Sequence, residues 1–135
     1  MIPKEVWNGY YKFTLERNPF DKVVSLYYWR GGDKKFGSLY RFISGGGLQN
    51  FDSYDIYAAN GVVAVDHIYR YEDLAGACAD LSKKLSLTQS LEMPAYRAKS
   101  LQRKVKDYRD LFDEQSIELV RVIFAREIKL LGYTY

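Results

Sequence analysis

Phe13–Arg30 reads FTLERNPFDKVVSLYYWR, and this stretch decides the fold. With Tyr10–Lys12 before it, its opening alternates and is rich in β-formers, so Tyr10–Leu15 is predicted as a strand that ends near Arg17. Asn18 then offers a helix N-cap, and Pro19 takes the first helical position, where a missing N–H does no harm. From Pro19 to Arg30 the residues Phe20, Val23, Val24, Tyr27 and Tyr28 recur at three- and four-residue steps, one apolar stripe able to pack on a sheet. Gly31-Gly32 ends the helix. A strand that feeds a helix brings free backbone N–H groups and the positive end of the helix dipole to one corner, which favours phosphate. Arg17 stands at that corner with a fork suited to two phosphate oxygens, and Ser25, about two turns along, can donate a hydroxyl to the same group. The plainer alternatives are an ion pair at a strand end for Arg17 and a small packed residue for Ser25.

Outward from this unit, Gly31–Gly61 is interrupted by glycine and serine, with a short helix expected at Ser38–Ile43 and a flexible turn at Gly45-Gly46-Gly47. No strand leads into that glycine triplet and no Lys-Ser/Thr follows it, so it does not read as a phosphate loop. Val62–Tyr71 has a β-branched start and partial alternation, a second strand expected to be buried on both faces. Asp73 can cap the helix Asp73–Leu85, with Leu74, Cys78, Leu81 and Leu85 on one face. After the basic stretch Met93–Arg109, Asp113 precedes a long run whose buried stripe is Ile117, Val120, Phe124, Ile128 and Leu131, closed by Gly132. Strands separated by helices predict parallel βα units, in an α/β chain with few strands and a helix-rich C-terminal half.

A length of 135 residues fits one domain with one modest core. Hydrophobic residues at 47% and charged residues at 27% are those of a soluble globular chain, and no apolar stretch nears the ~18–20 residues of a membrane span. MIPKEVWNGYYKF lacks the features of a secretory signal. A formal charge of +3 is too small to indicate nucleic-acid binding unless it is clustered. A single cysteine, Cys78, and a single histidine, His67, leave neither an internal disulfide nor a zinc-spaced pair, so no metal site is expected.

RNPFDKVVSLYYW resembles the 3′-phosphate motif of the sulfotransferases that use 3′-phosphoadenosine 5′-phosphosulfate (PAPS): a strand, Arg-Asn-Pro, then Ser six residues after Pro, with aromatics following. Arg17, Asn18, Pro19, Ser25 and Tyr28 match it, and Lys22 stands where arginine is frequent, keeping the charge without the fork. YRYEDL at Tyr69–Leu74 is similar to the family's second-strand motif, and DYRDLFDEQSIELVRVIFAREIKLLGYTY to its closing helix. The similarity covers most of residues 10–135 and is nearest to the glycan-modifying, Golgi-type branch and its bacterial relatives. It implies a P-loop-NTPase-like sulfotransferase fold in partial form. The family's first strand and Gly-rich Lys-Ser/Thr loop, which hold the 5′-phosphosulfate, are not among the twelve residues before Phe13. Three possibilities follow: the C-terminal part of a longer enzyme, a reduced enzyme, or a non-catalytic chain that binds nucleotide or associates with itself or a partner along an open sheet edge.

The resemblance implies that Arg17 and Ser25 hold the 3′-phosphate of PAPS or of its product 3′-phosphoadenosine 5′-phosphate (PAP). Lys22 is a further cofactor-binding candidate. The family tends to place nucleotide-contacting basic residues between its second strand and last helix, which adds Arg103 and Lys104. His67 and Glu72 are candidates for the base that deprotonates a hydroxyl or amine acceptor, carbohydrate being the acceptor class implied; a structural role in the strand and at the helix start is the other reading of each. Arg97, Lys99, Arg103, Lys104, Lys106 and Arg109 against Asp107 form a basic run, either a solvated helix face or a rim attracting an anionic nucleotide or acidic acceptor. The compartment expected is cytoplasmic for a bacterial chain and Golgi for an animal one.

Overall fold

The computed structural model describes residues 2–51, 53–94 and 103–135. In chain order its elements are α1 (Lys4–Gly9), β1 (Phe13–Glu16), α2 (Pro19–Trp29), α3 (Gly32–Lys35), α4 (Leu39–Ser44), α5 (Tyr54–Tyr57), β2 (Ala58–Ala59), β3 (Val62–Val63), β4 (His67–Arg70), α6 (Leu74–Lys84), α7 (Glu114–Ile123) and α8 (Ala125–Leu131). Turns of 3-10 helix stand at Tyr71–Asp73 and Tyr108–Leu111. The chain is mixed α/β, and its contacts group it into two compact units, Met1–Glu16 with Asp52–Met93 and Arg17–Phe51 with Pro94–Tyr135. Among the described residues no helix is long and apolar enough to cross a membrane.

In the first unit β1 and β4 pair in parallel, Phe13 opposite His67 and Glu16 opposite Arg70. The parallel pairing follows from the sequence, but two of the strand expectations need correction. The strand drawn over Val62–Tyr71 is two pieces. Val62–Val63 folds back on Ala58–Ala59 in an antiparallel hairpin around Asn60-Gly61, both at positive φ (54° and 78°), the geometry of a type I′ turn. Only His67–Arg70 joins β1, and it is not buried on both faces: His67 and Arg70 are exposed, while Tyr69 is buried. Asp73 caps α6 by accepting the Gly76 N–H at 2.9 Å, as expected. The buried face of α6 is Ala77, Leu81 and Ser82; of the expected stripe Leu81 is buried and Leu74 and Cys78 are half-buried, while Leu85, which follows the last helical residue, is exposed.

The second unit is helical. Asn18 accepts the Phe20 N–H at 3.0 Å, Pro19 opens α2, and Gly31 in the left-handed region (φ 65°) ends it. Phe20, Val23, Val24 and Tyr27 are buried as the spacing predicts. Their partners, however, are Leu39, Phe42 and Ile43 of α4 and Val120 and Phe124 of the C-terminal segment, so the stripe packs on helices where a sheet was expected. Ser38 caps α4 through the Arg41 N–H. The Gly45-Gly46-Gly47 turn is pinned rather than loose: the Arg30 guanidinium donates to the Gly47 carbonyl at 2.7 Å and the Gln49 carbonyl at 3.1 Å. The closing helix bends at Phe124 (φ −106°, ψ 28°) into α7 and α8, although the Phe124 N–H still reaches Val120 and the Ile128 N–H reaches Phe124. Gly132, at φ 65°, closes it. Of the basic run, Arg97 and Lys99 lie outside the described residues, and Arg103–Asp107 is not helical.

Candidate functional site

Arg17 leaves β1 and precedes the cap, and from there its guanidinium turns onto Asp21, one turn into α2. Its Nε donates to Asp21 Oδ2 at 2.5 Å and an Nη contacts the same oxygen. The other carboxylate oxygen, Oδ1, accepts from Arg103 Nη1 at 2.6 Å. Arg103 is fixed on its remaining sides, since its Nε donates to the Val105 carbonyl at 2.8 Å and its Nη2 to the Lys106 carbonyl at 3.2 Å. One carboxylate therefore bridges two guanidinium groups from segments far apart in the chain, and all three side chains are about four-fifths buried. At this depth the pairs are screened less than surface ion pairs, so the bridge holds its geometry.

Arg17, Lys22, Ser25 and Arg103 line one pocket of about 270 Å³, whose apolar wall is Leu26, Tyr28, Trp29 and Phe51. Lys22 Nζ stands 5.9 Å from the centre of the Phe51 ring and 5.4 Å from that of Phe124, so its charge lies over aromatic faces. Ser25 is half-buried on α2. Burial pushes the Tyr28 hydroxyl's pKa up, with Lys104 and Arg103 opposing and Asp33 adding to it, so Tyr28 stays a neutral donor and acceptor at physiological pH. Cationic donors, a hydroxyl and a flat apolar wall suit an anion borne on an aromatic or sugar group. Among the described residues that line the pocket there is no Asp, Glu or His, and the Asp21 carboxylate contacts two of them.

Of the residues singled out from sequence, the structure thus brings together Arg17, Lys22, Ser25 and Arg103. Lys104 goes elsewhere: its ammonium meets Asp33 at 2.6 Å, which holds the Asp33 carboxyl below the usual carboxylate range, and it does not line the pocket. His67 and Glu72 belong to the first unit and are not lining residues either. His67 is exposed with its ring 4.2 Å from that of Tyr69, and Glu72 is exposed in the turn before α6. Asp21, which organises both arginines, escaped the sequence reading; its signal was an acid four residues after Arg17, at the third position of the helix. A polar set in the first unit was missed as well. There the Tyr69 hydroxyl donates a short bond to Asp80 and lies 3.4 Å from the Tyr11 hydroxyl, with Lys84 3.3 Å from Asp80.

An "Uncharacterized protein" of Archaeoglobus fulgidus is 36% identical to this chain over 97 residues, covering 68% of the chain and 81% of that protein. The chain belongs to the same family as this archaeal protein. No protein-family model matches the chain, and no solved structure matches it. Membership of this family carries no activity with it, so the chemistry of the site rests on the Arg17–Asp21–Arg103 bridge and the pocket beside it.

Proposed function

We propose that this chain is a sulfotransferase-family protein whose pocket takes the 3′-phosphate of PAPS or PAP. The intact enzyme transfers the sulfuryl group of PAPS to a hydroxyl or amine, with a carbohydrate as the acceptor. The observation that carries the reading is that Arg17, Lys22, Ser25 and Arg103, all marked by the motif or the charge pattern, line one pocket. Its volume of about 270 Å³ lies just below the ~300–1,000 Å³ usual for small-molecule sites, which suits a phosphate with part of its nucleoside better than a whole nucleotide. Guanidinium and ammonium groups supply charge-assisted bonds to phosphate oxygens, Ser25 adds a neutral donor, and Tyr28, Trp29 and Phe51 offer faces for a ring.

Among the described residues the carboxylate in contact with the pocket lining is Asp21, and both its oxygens are taken by Arg17 and Arg103, which favours a second reading in which the pocket binds the nucleotide without doing chemistry on it. Calorimetric titration with PAP tests the shared binding step. One PAP per chain is expected to bind the unaltered protein, and Arg17→Ala to weaken it by about tenfold or more, since a hydrogen bond to a charged group contributes ~1.5–3 kcal/mol. Equal binding by the two proteins, or none by either, refutes the site. Release of PAP from PAPS in the presence of glycan acceptors separates the transferase from the binding module.

A further inference from the structure

The Nε edge of the Arg17 fork, the edge that grips two oxygens of an oxyanion, already rests on Asp21, and the same carboxylate takes an N–H of Arg103. Arg17, Lys22 and Arg103 bring three positive charges to the pocket, and Asp21 sets one negative charge between two of them. A carboxylate so placed keeps the two guanidinium groups at fixed positions. It also repels an incoming phosphate and competes for the donors that the phosphate needs. Arg103 has further anchors on the Val105 and Lys106 carbonyls, so its position does not depend on Asp21 alone.

We propose that Asp21 is an internal competitor of the ligand, a carboxylate latch that the phosphate displaces from Arg17 on binding. The inference rests on the phosphate-binding reading and deepens it by naming what sets the affinity of that site. Asp21 is a positioning residue here: it acts through Arg17 and Arg103 and takes no part in a covalent step. The charge sign decides the direction of the effect. A neutral residue at position 21 removes the competitor and the repulsion while Lys22, Arg103 and Arg17 keep their charges, so affinity for a phosphate rises. A role limited to holding the structure together predicts the reverse, because loosened arginines bind an anion less well.

The test is titration of the full chain with PAP and, separately, with inorganic phosphate, comparing the unaltered protein with Asp21→Asn and Asp21→Glu. Asp21→Asn is expected to bind both probes about tenfold more tightly, and Asp21→Glu, which keeps the carboxylate, to gain nothing. Unchanged or weaker binding by Asp21→Asn, with clear binding by the unaltered chain, overturns the latch and leaves the phosphate site standing. Absence of binding by every form removes both. A measurement on the unaltered chain covers the case in which the variants do not fold: the Arg17 Nε–H resonance is expected to shift as PAP is added, when its acceptor changes from carboxylate to phosphate. A resonance that stays fixed while PAP binds overturns the latch.

Discussion

Replacing Arg103 with alanine should weaken PAP binding by roughly 10- to 150-fold, whereas the same change at Lys104, the next residue, should leave it within about threefold. The difference comes from where the two side chains go. The Arg103 guanidinium is held by Asp21, Val105 and Lys106 at 2.6–3.2 Å and lines the pocket with 19% of its side chain exposed. A hydrogen bond from a charged group contributes ~1.5–3 kcal/mol, which at ~1.4 kcal/mol per decade gives the stated range. The upper half of that range is the more apt, because the deletion also withdraws one of the two guanidinium groups on the Asp21 carboxylate and leaves that charge freer to repel the phosphate. Lys104 is 67% exposed, spends its ammonium on Asp33 and does not line the pocket; Asp33 offsets the positive charge it brings near Tyr28, and what remains is screened by solvent within ~10 Å at about 0.1 M salt. The assay is calorimetry with PAP at that ionic strength, with thermal melts to establish that both variants fold. Equal losses at the two positions would mean that only the general positive charge of the segment matters, and the pocket assignment of Arg103 would be wrong.

Further outcomes follow from the packing and the caps. Phe42, fully buried between Tyr27 and Phe36, should cost about 3–5 kcal/mol on change to alanine, seen as a large fall in the urea midpoint; a loss under about 1 kcal/mol would contradict its place in the core. Asp113→Ala should remove about 1 kcal/mol by taking away the cap on the Ser116 N–H at 2.7 Å. The Ser116 hydroxyl and amide hold the Asp113 carboxyl below its ordinary value, so this contribution is full well above the ordinary carboxyl range and is lost as pH falls through the lowered folded value; the difference between the two proteins should be larger at pH 7 than in acid, and a difference that does not shrink as pH falls would count against the cap. In Tyr69→Phe the Asp80 carboxyl should titrate at higher pH than in the unaltered chain, because the Tyr69 hydroxyl is the main cause of its depression; a carboxyl-carbon NMR titration that does not move would count against that bond.

Features decided within a few residues were legible in the sequence. Asn18, Ser38, Asp73 and Asp113 all cap the helices that follow them, and Gly132 ends the last one, because each is a side chain or a backbone torsion acting on its own neighbours. The hairpin at Ala58–Val63 has a sequence signal of its own, Asn-Gly followed by Val-Val, but the alanines before the turn have little β preference, and the valines read equally well as the start of a longer strand. What α2 packs on could not be read from its stripe, since an apolar face with helical period suits a sheet and a helix equally, and the decision lies with α4 and the C-terminal segment. The bend at Phe124 is of the same kind, a distortion inside an unbroken apolar periodicity. At the site the motif placed Arg17, Ser25 and Lys22, while local charge marked Arg103 and Lys104 alike; only the fold sends one to the pocket and the other to Asp33. Asp21 was hidden because an acid in the first turn of a helix is ordinary, and its meaning depends on an arginine 82 residues away.

A crystal structure of the chain with PAP bound tests the central claim most directly. The account predicts the 3′-phosphate in the α2 pocket, its oxygens within hydrogen-bond reach of the Arg17 guanidinium and the Ser25 hydroxyl, with Arg103 and Lys22 facing it. PAP seated elsewhere on the chain, or held in this pocket by its base with the 3′-phosphate turned away from Arg17 and Ser25, would contradict it.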